Sequence, residues 1–428
     1  VLFRSGIRMF KTTRRWTMAG AAALASGLVG RQAAAQTAPV KIGVIYPLSG
    51  NSATAGNYSK MAIEVGADVI NNGNADLAKV IPLAKGGGLP GLKGAKIELI
   101  FADNQGTPAA GQNQALRLIT EEKVAALIGA YQSGITVTAS AIAERHGIPF
   151  LTAESVAANL TERGFKFFFR TTPVAGDFAR AYSTFLKEQK AAGRKVGTIA
   201  LVHENTEYGN SVAGVIASQF EKDGLPISQK ISYSANSSDV QPQVLQLKEK
   251  NPDVLIFISY TSDAILYTKT MKELNWKPSI MIADNAGFND PAFVKNLANQ
   301  VEGLVNRSAF SAGKPGSVPA LFNDLYKKKT KGDDLDDVSV RGLQGFLVMA
   351  DAINRAGSTD PVKIRDALKA TNLPAEQMVA GYDGVKFDDK GQNILAASVV
   401  TQMRGGQYVT IATKARATAE VILPYKGW

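Results

Sequence analysis

Polar and aromatic residues follow one apolar run after another in this sequence, in segments that could bind a small molecule. Six such loops lie at 47–50, 131–134, 152–155, 205–209, 259–263 and 284–287. Loops that open a helix present backbone N–H groups and hydroxyls, which suit an anion. For any one loop, Ser or Asp after a strand is better explained as a helix N-cap. Six loops of this kind favour a shared binding cleft.

The catalytic motifs that would indicate an enzyme are missing from the sequence. Gly86–Gly91 matches G-x-G-x-x-G, but the segment follows a polar loop and contains Pro90, whereas a dinucleotide site needs a preceding strand and a helix. His146 and His203 are the two histidines, and cysteine is absent, so no H-E-x-x-H or thiolate metal site is available. We therefore expect no cofactor and no catalysis. An exported enzyme is the alternative from another class, and turnover of a bound compound would support it.

Alternating β-rich and helical segments must position these loops. Predicted strands are Val40–Tyr46, Lys96–Ala102, Ala125–Ile128, Pro149–Leu151, Val196–Val202, Ile227–Tyr233, Val254–Ile258, Ser279–Ile282 and Gly303–Val305. A helix predicted over Ala109–Glu122 shows apolar residues on one face. Alternating strands and helices predict an α/β fold with doubly wound, mainly parallel sheets. In such sheets, ligands bind outside the carboxyl ends of the strands.

About nine strands exceed one comfortable sheet, so we expect two lobes. Chain crossings are predicted at 169–173, 306–311 and 387–393. Lobe 1 would then contain residues 39–172 and 307–390, and lobe 2 would contain residues 173–306 and 391–428. The segment 73–94 is a Gly-rich insertion before the second strand, and its role is left open.

The N-terminal segment has the composition of an export signal. Arg14 and Arg15 precede an uncharged stretch from Ala19 to Gly30, and an A-x-A cleavage site ends near Ala35. Such a stretch is too short to span a bilayer, so residues 1–35 are predicted to be a cleaved signal peptide and the protein to be periplasmic. The twin arginines leave both the Tat and the Sec route open.

The charge balance gives little support to a nucleic-acid partner. The whole chain has a net charge of +11, but residues 1–35 hold six basic and no acidic side chains, so the remainder carries +5. Lys327–Lys329 is followed at once by aspartates, as in a solvated helix end. At 45% hydrophobic residues the chain can form substantial cores. We expect a monomer with a small-molecule partner.

The segments VKIGVIYPLSG at 40–50, ADNQGTP at 102–108, GAYQSG at 129–134, HGIPFLTAES at 146–155, FRTTP at 169–173 and NTEYG at 205–209 occur in this order. Their order and spacing resemble those of the periplasmic branched-chain amino-acid binding proteins of ABC transporters. The likeness covers nearly all of the chain after the signal. It implies a type I periplasmic binding protein fold: two Rossmann-like lobes joined by three hinge segments and closing on a solute.

The resemblance also implies roles for individual residues. Gln132 and Ser133 of lobe 1, with 153–155, would hold a ligand carboxylate, and Tyr208 and Tyr260 of lobe 2 would cover it. Asp284, beside Asn285, would pair with an α-ammonium. The ligand-binding set implied by the resemblance is Gln132, Ser133, Ala153, Glu154, Ser155, Tyr208, Tyr260, Asp284 and Asn285. Glu154 would repel a carboxylate, so we expect its side chain to turn away or to bind a cation.

Two departures from the family pattern bear on the solute. Val156 stands where leucine-type binders often place a threonine, and Ala55 where they place an aromatic residue. Both changes predict a roomier and less polar site. The expected solute is a branched-chain or larger apolar amino acid, delivered to an inner-membrane ABC permease. An aromatic carboxylate, an amide or urea is the alternative within the family. A ligand-sensing regulator on this fold would require a cytoplasmic location, which the signal opposes.

Overall fold

The structure, a computed structural model, describes residues 37–310, 313–412 and 417–428. The predicted signal peptide, with its cleavage site near Ala35, lies outside the described residues. The described chain forms two large β-sheets flanked by helices, with their strands mainly parallel. All nine predicted strands are present, within a few residues of their predicted bounds. The predicted α/β fold class is confirmed.

The first sheet contains the five strands at the start of the described chain. In order across the sheet they are β2 (Ile97–Asp103), β1 (Val40–Tyr46), β3 (Ala126–Gly129), β4 (Phe150–Thr152) and β5 (Phe168–Arg170). Every pairing in this sheet is parallel. The strand order changes direction at β1, which is where doubly wound sheets open a crevice for a ligand.

The second sheet repeats this order and then extends it. Across the sheet the strands are β7 (Gln229–Tyr233), β6 (Ile199–Glu204), β8 (Val254–Ile258), β9 (Ile280–Ala283), β10 (Val305–Ser308), β13 (Val399–Arg404) and β14 (Gln407–Ala412). All five residues of β8 are apolar and buried, as expected for a parallel strand covered on both faces. The last two strands are antiparallel and were not predicted. A separate antiparallel pair is formed by β11 (Asn372–Pro374) and β12 (Gly384–Lys386).

Helices cover the sheets. Their bounds are α1 (Ala53–Asn72), α2 (Pro108–Thr120), α3 (Ser133–His146), α4 (Ala175–Ala191), α5 (Glu207–Lys222), α6 (Gln241–Lys250), α7 (Thr261–Glu273), α8 (Ala286–Asn289), α9 (Pro291–Leu297), α10 (Val318–Thr330), α11 (Asp337–Ala356) and α12 (Pro361–Lys369). Asp336 begins α11 by accepting bonds from the amides of Val338 and Ser339, which offsets unpaired donors at the helix start. This buried helix packs against α1.

The chain passes between the two sheets at three places, after β5, after β10 and before β13. The boundary predicted between 306 and 307 falls inside β10, because the polar residues there belong to a strand of the second sheet. The first and third passages lie side by side. The amide of Arg170 donates to the carbonyl of Gly391 at 2.8 Å, and the amide of Asn393 donates to the carbonyl of Arg170 at 2.9 Å. We call this parallel pairing of Arg170 with 391–393 the crossing ribbon.

The insertion at 73–94 folds into 3₁₀ turns at Leu77–Lys79, Pro82–Lys85 and Pro90–Leu92. Gly88 has a φ of 87°, and a Cβ there would lie 2.4 Å from the carbonyl oxygen of Ala95. The amide of Gly91 donates to the side chain of Asn354 on α11 at 2.8 Å. The glycines therefore serve close backbone packing, in agreement with the rejection of a dinucleotide motif.

Candidate functional site

A small buried cavity lies at the carboxyl ends of strands from both sheets. Its volume is about 20 Å³. The residues that line it are Tyr131, Ser133, Glu154, Val156, Tyr208, Tyr260, Asn285, Ala286, Arg307 and Arg341. Carboxyl ends of parallel strands are where doubly wound folds bind their ligands. We take this cavity as the candidate site and call it the strand-end cavity.

Five of the six loops singled out in the sequence contribute lining residues. They are the loops after β3, β4, β6, β8 and β9. The loop at 47–50 does not line the strand-end cavity. Instead, the hydroxyl of Ser49 donates to Asp103 at 2.6 Å, and the amide of Leu48 donates to the same carboxylate at 2.9 Å. This loop therefore fastens β1 to β2.

Glu154 is buried and faces the strand-end cavity. Its Oε1 accepts a hydrogen bond of 2.5 Å from the hydroxyl of Tyr46, at the end of β1. Its Oε2 has no hydrogen-bond partner among the described residues. Burial raises the pKa of Glu154 to about 7, although Arg341 and the Tyr46 hydroxyl favour the charged form. A buried carboxyl of this kind holds its proton to higher pH than a solvated one.

Arg341 reaches the strand-end cavity from α11. Its guanidinium forms a salt bridge with Asp337 at 2.8 Å and donates to the carbonyl of Glu154 at 3.1 Å. It also donates to Oδ1 of Asn285 at 3.1 Å. Burial disfavours the charged guanidinium, but Asp337 outweighs this effect and holds the pKa of Arg341 above its usual value. The side chain thus joins α11 to the ends of β4 and β9.

Asp284, predicted to hold an ammonium, lies behind the cavity wall in a fully buried network. Arg307 Nε lies 3.1 Å from Asp284 Oδ1, and the hydroxyls of Tyr182 and Tyr208 donate to the carboxylate at 2.8 Å each. The Arg307 guanidinium lies 3.3 Å from the centre of the Phe178 ring. Burial opposes its charge, yet Asp284 keeps the pKa of Arg307 above its usual value. The Asp284 charge is therefore already compensated by the protein.

Three tyrosines form one wall of the strand-end cavity. The ring centres of Tyr208 and Tyr260 lie 5.2 Å apart, and those of Tyr131 and Tyr260 lie 6.0 Å apart. Tilted pairs at this distance are favourable. The hydroxyl of Tyr131 is buried and has no hydrogen-bond partner among the described residues. Burial raises the pKa of each of these tyrosines, so all three hydroxyls stay neutral.

The remaining residues of the predicted set have different positions. Ser133 is the first residue of α3 and lines the strand-end cavity. Ser155 lies behind the lining, where its hydroxyl bonds to Thr136 at 2.7 Å and to the Tyr131 carbonyl at 2.9 Å. Ala153 packs near Gly345 of α11, and Gln132 precedes α3; neither lines the cavity. The structure brings together Ser133, Glu154, Tyr208, Tyr260 and Asn285.

A larger cavity of about 650 Å³ lies elsewhere, among Tyr58, Lys295 and four aspartates at 333–337. Those carboxylates already have protein partners. Asp333 bonds to Lys295, Asp334 to Lys327, and Asp337 to Arg341. Asp336 caps α11. The larger cavity is lined mostly by helix ends and by the hairpin of β13 and β14, and Ser308 of β10 is its one residue from the end of a parallel strand. The strand-end cavity, which the loops after five such strands line, is therefore the better candidate.

Sequence reasoning missed the two arginines. Arg341 follows Asp337 by four residues in a helix that is otherwise largely apolar, and this spacing is a signal for a buried ion pair. Arg307 lies in the polar run that was taken for a crossing. The expectation of a roomier, less polar site stays a prediction; in the present arrangement two arginines and Glu154 line a cavity of about 20 Å³. Val156 lines the cavity as expected, whereas Ala55 does not.

The family comparison agrees with this geometry. Residues 39–407 match the family model described as periplasmic binding protein. The chain belongs to the periplasmic binding protein family. A relative from Brucella abortus (strain 2308), named Leu/Ile/Val-binding protein homolog 7, is 32% identical over 410 residues, which is 92% of this chain and 96% of the relative.

Two solved structures share the fold of this periplasmic binding protein. The branched-chain amino acid transporter substrate binding protein LivJ of Streptococcus pneumoniae, in complex with isoleucine, is 20% identical with a TM-score of 0.72, over 90% of this chain and 100% of that one. A solute binding protein of an ABC transporter from Rhodopseudomonas palustris BisB5, in complex with 3,4-dihydroxybenzoic acid, is 18% identical with a TM-score of 0.72, over 90% and 98%. In the described part of this periplasmic binding protein, no helix combines the length and apolarity needed to cross a membrane.

Proposed function

We propose that this protein captures a branched-chain or larger apolar amino acid between two closing lobes and delivers it to an inner-membrane ABC permease. The observation that carries the proposal is the strand-end cavity, which aromatic, hydroxyl and charged side chains of both sheets line together. Relatives named for Leu, Ile and Val binding support the amino-acid class. Export to the periplasm and a monomeric state are part of the proposal.

The proposed lobes are residues 39–172 with 307–390, and residues 173–306 with 391–428, except that β10 as a whole, to Ser308, belongs with the second sheet. Contacts between them support a closed arrangement. Asn159 donates to Glu207 at 2.8 Å, and the amide of Ala158 donates to the hydroxyl of Ser211 at 3.1 Å. A cavity of about 20 Å³ cannot hold an amino acid, so the lobes must separate to admit one. Binding would then shift an open–closed equilibrium, as in hinged binding proteins.

In this proposal the solute carboxylate lies at the start of α3. Ser133 opens that helix of 14 residues and faces the strand-end cavity. The N-terminus of a helix presents unpaired N–H groups and the positive end of its dipole. Tyr208 and Tyr260 cover the carboxylate from the other lobe. The backbone around Gln132 and the segment 153–155 shape this end of the site.

An aromatic carboxylate is the second candidate, and an amide or urea the third. The wall of Tyr131, Tyr208 and Tyr260 favours an aromatic solute, because aromatic rings pair well at the observed spacing. The solved relative with 3,4-dihydroxybenzoic acid supports the same choice. Binding of benzoate-like acids that lack an ammonium would distinguish this candidate from the amino-acid proposal.

A thermal-shift screen of amino acids, aromatic carboxylates and short amides tests the proposal. A solute present at about 100 times its dissociation constant stabilises the fold by roughly 2.7 kcal/mol. We expect leucine, isoleucine, valine or phenylalanine to raise the melting temperature and calorimetry to give one site per chain. Stabilisation by aromatic acids alone would support the second candidate, an aromatic-carboxylate binding protein, in place of the amino-acid proposal. If no compound in the three classes stabilises the protein, the proposal is wrong.

A further inference from the structure

Building on the proposed function, we propose that Glu154 determines specificity: its Oε2 accepts a hydrogen bond from an ammonium or amide nitrogen of the solute. Asp284, the residue implied by family resemblance, would keep its partners within the protein. The solute class is then a small molecule that carries a nitrogen donor, with an α-amino acid as the main case. A simple carboxylic acid lacks the nitrogen donor that would bind Oε2 of Glu154.

The geometry fixes the direction of the Glu154 side chain. Its relative exposure is 4%, its Oε1 is bound by Tyr46 at 2.5 Å, and its main-chain carbonyl is bound by Arg341 at 3.1 Å. These contacts use one side of the residue and leave Oε2 with no protein donor. Glu154 is also one of the residues that line the strand-end cavity, so a solute there would lie next to it, and in our proposal the solute supplies the missing donor.

The charges around the strand-end cavity single out the same residue. Arg307 has Asp284 as its partner, and Arg341 has Asp337. Among the charged lining residues, Glu154 is the one for which the described chain shows no salt bridge. A buried polar atom without a partner is costly, and a donor that reaches it recovers that cost. A cationic or amide nitrogen satisfies both the hydrogen bond and, for an ammonium, the charge.

The alternative acceptor, Asp284, is less available. Its carboxylate receives Arg307, Tyr182 and Tyr208, and its exposed fraction is 0%. A solute ammonium at Asp284 would have to displace one of these donors and lie next to the Arg307 guanidinium. Like charges at close range are unfavourable in a buried site. At Glu154 a solute nitrogen would displace no protein donor from Oε2, although the Arg341 guanidinium lies nearby, bound to the Glu154 carbonyl.

The test uses pairs of probes that differ in the nitrogen donor: leucine with 4-methylpentanoate, phenylalanine with 3-phenylpropanoate, and benzamide with benzoate. Calorimetry at pH 8 compares the wild type, Glu154→Gln and Glu376→Gln. The last variant removes the same charge from an exposed 3₁₀ turn, Ala375–Gln377. We expect Glu154→Gln to bind the nitrogen-bearing member of the recognised pair at least tenfold more weakly and its partner within twofold. Glu376→Gln should match the wild type.

Equal affinity of Glu154→Gln and the wild type for the nitrogen-bearing probe would overturn the role of Glu154 while leaving the proposed function intact. Binding of none of the six probes by the wild type would instead contradict the proposed function. If Glu154→Gln does not fold, Glu154→Asp keeps the charge and shortens its reach. Selective loss of the nitrogen-bearing probe in that variant supports the inference, and unchanged affinity rejects it.

Discussion

The guanidinium of Arg307 lies 3.1 Å from the carboxylate of Asp284, and both side chains are buried between the ends of β9 and β10. Neither charge can be hydrated if the other is removed. Breaking such a pair on one side usually costs about 3–5 kcal/mol, because it leaves an uncompensated charge in the interior. The ion pair between Arg307 and Asp284 therefore contributes both to the stability of the fold and to the shape of the strand-end cavity.

We expect Arg307→Met to lower the free energy of unfolding by about 3–5 kcal/mol, measured by urea denaturation. Arg180→Met is the matched control, since Arg180 pairs with Asp177 on an exposed helix face. An exposed pair contributes about 0–1 kcal/mol. A loss in Arg307→Met no larger than in the control would contradict the view that this pair is essential to the fold.

Glu154 should make stability depend on pH. Its pKa in the folded chain is about 7, above the ordinary value of 4.5, so the folded state holds the proton more tightly than the unfolded state. The contribution of Glu154 to the free energy of unfolding is therefore fully present below about pH 4.5 and is lost as the pH rises to about 7. Relative to the wild type, Glu154→Gln should gain up to about 3 kcal/mol between pH 4.5 and pH 8.

Other groups face this carboxyl: Tyr46 from β1, Tyr131 from the loop after β3, and Arg341 with Asp337 from α11. They are unchanged in Glu154→Gln, as is Asp336, whose pKa burial also raises to about 7. The contribution of Asp336 therefore cancels in the difference between the two proteins. Denaturation curves at several pH values provide the measurement, and a difference that does not vary with pH would contradict the assignment.

Tyr131→Phe should weaken solute binding about three- to tenfold, because the buried hydroxyl then no longer supplies a hydrogen bond to the solute. The stability of the solute-free protein should change little, since the hydroxyl has no protein partner among the described residues. Tyr267→Phe is a matched control: its hydroxyl is also buried without a partner, but it belongs to the core of the second sheet. Equal effects of the two variants on affinity would argue against solute contact by Tyr131.

Lys295 joins the proposed lobes at their rim. Its Nζ lies 2.8 Å from Asp333 and donates to the hydroxyl of Tyr58 at 2.8 Å. We expect Lys295→Met to favour the open form, with solute affinity reduced about two- to fivefold, as for an exposed ion pair. X-ray scattering should show a larger radius of gyration without solute. Lys187→Met, which breaks a pair with Asp223 inside one lobe, should leave both quantities unchanged.

The order of strands and helices could largely be predicted from the sequence. β8 was predicted with the correct bounds because five consecutive apolar residues have no other plausible position than a buried strand. The three-residue strand β5 was taken for a crossing because Arg170 is polar. The structure buries that arginine against carbonyls and Gln392, partners that are distant in sequence. Nothing local to Phe168–Arg170 indicates them.

The site was predicted in part. Ser133, Tyr208 and Tyr260 could be found because each lies just after a strand that is recognisable from the local sequence, and all three line the strand-end cavity. Arg307 and Arg341 depend on how the chain returns between lobes, which local periodicity does not reveal. The role of Asp284 as an ammonium partner stays a prediction. The hydrogen bonds that Tyr182 and Tyr208 donate to it join residues far apart in sequence, so they could not be predicted from local pattern.

The crossing ribbon has a mechanical consequence. Its two segments are joined by main-chain bonds at Gly391 and Asn393, and the side-chain amide of Asn393 also donates to the carbonyl of Thr171 at 3.1 Å. Two bonded strands bend readily across their flat face and resist shearing within it. When the proposed lobes separate, the crossing ribbon would allow a hinge rotation of one lobe relative to the other and oppose a sliding motion between them. Opening would thus return the same wall to the same place on each cycle, and solute selection would be repeatable from one capture to the next.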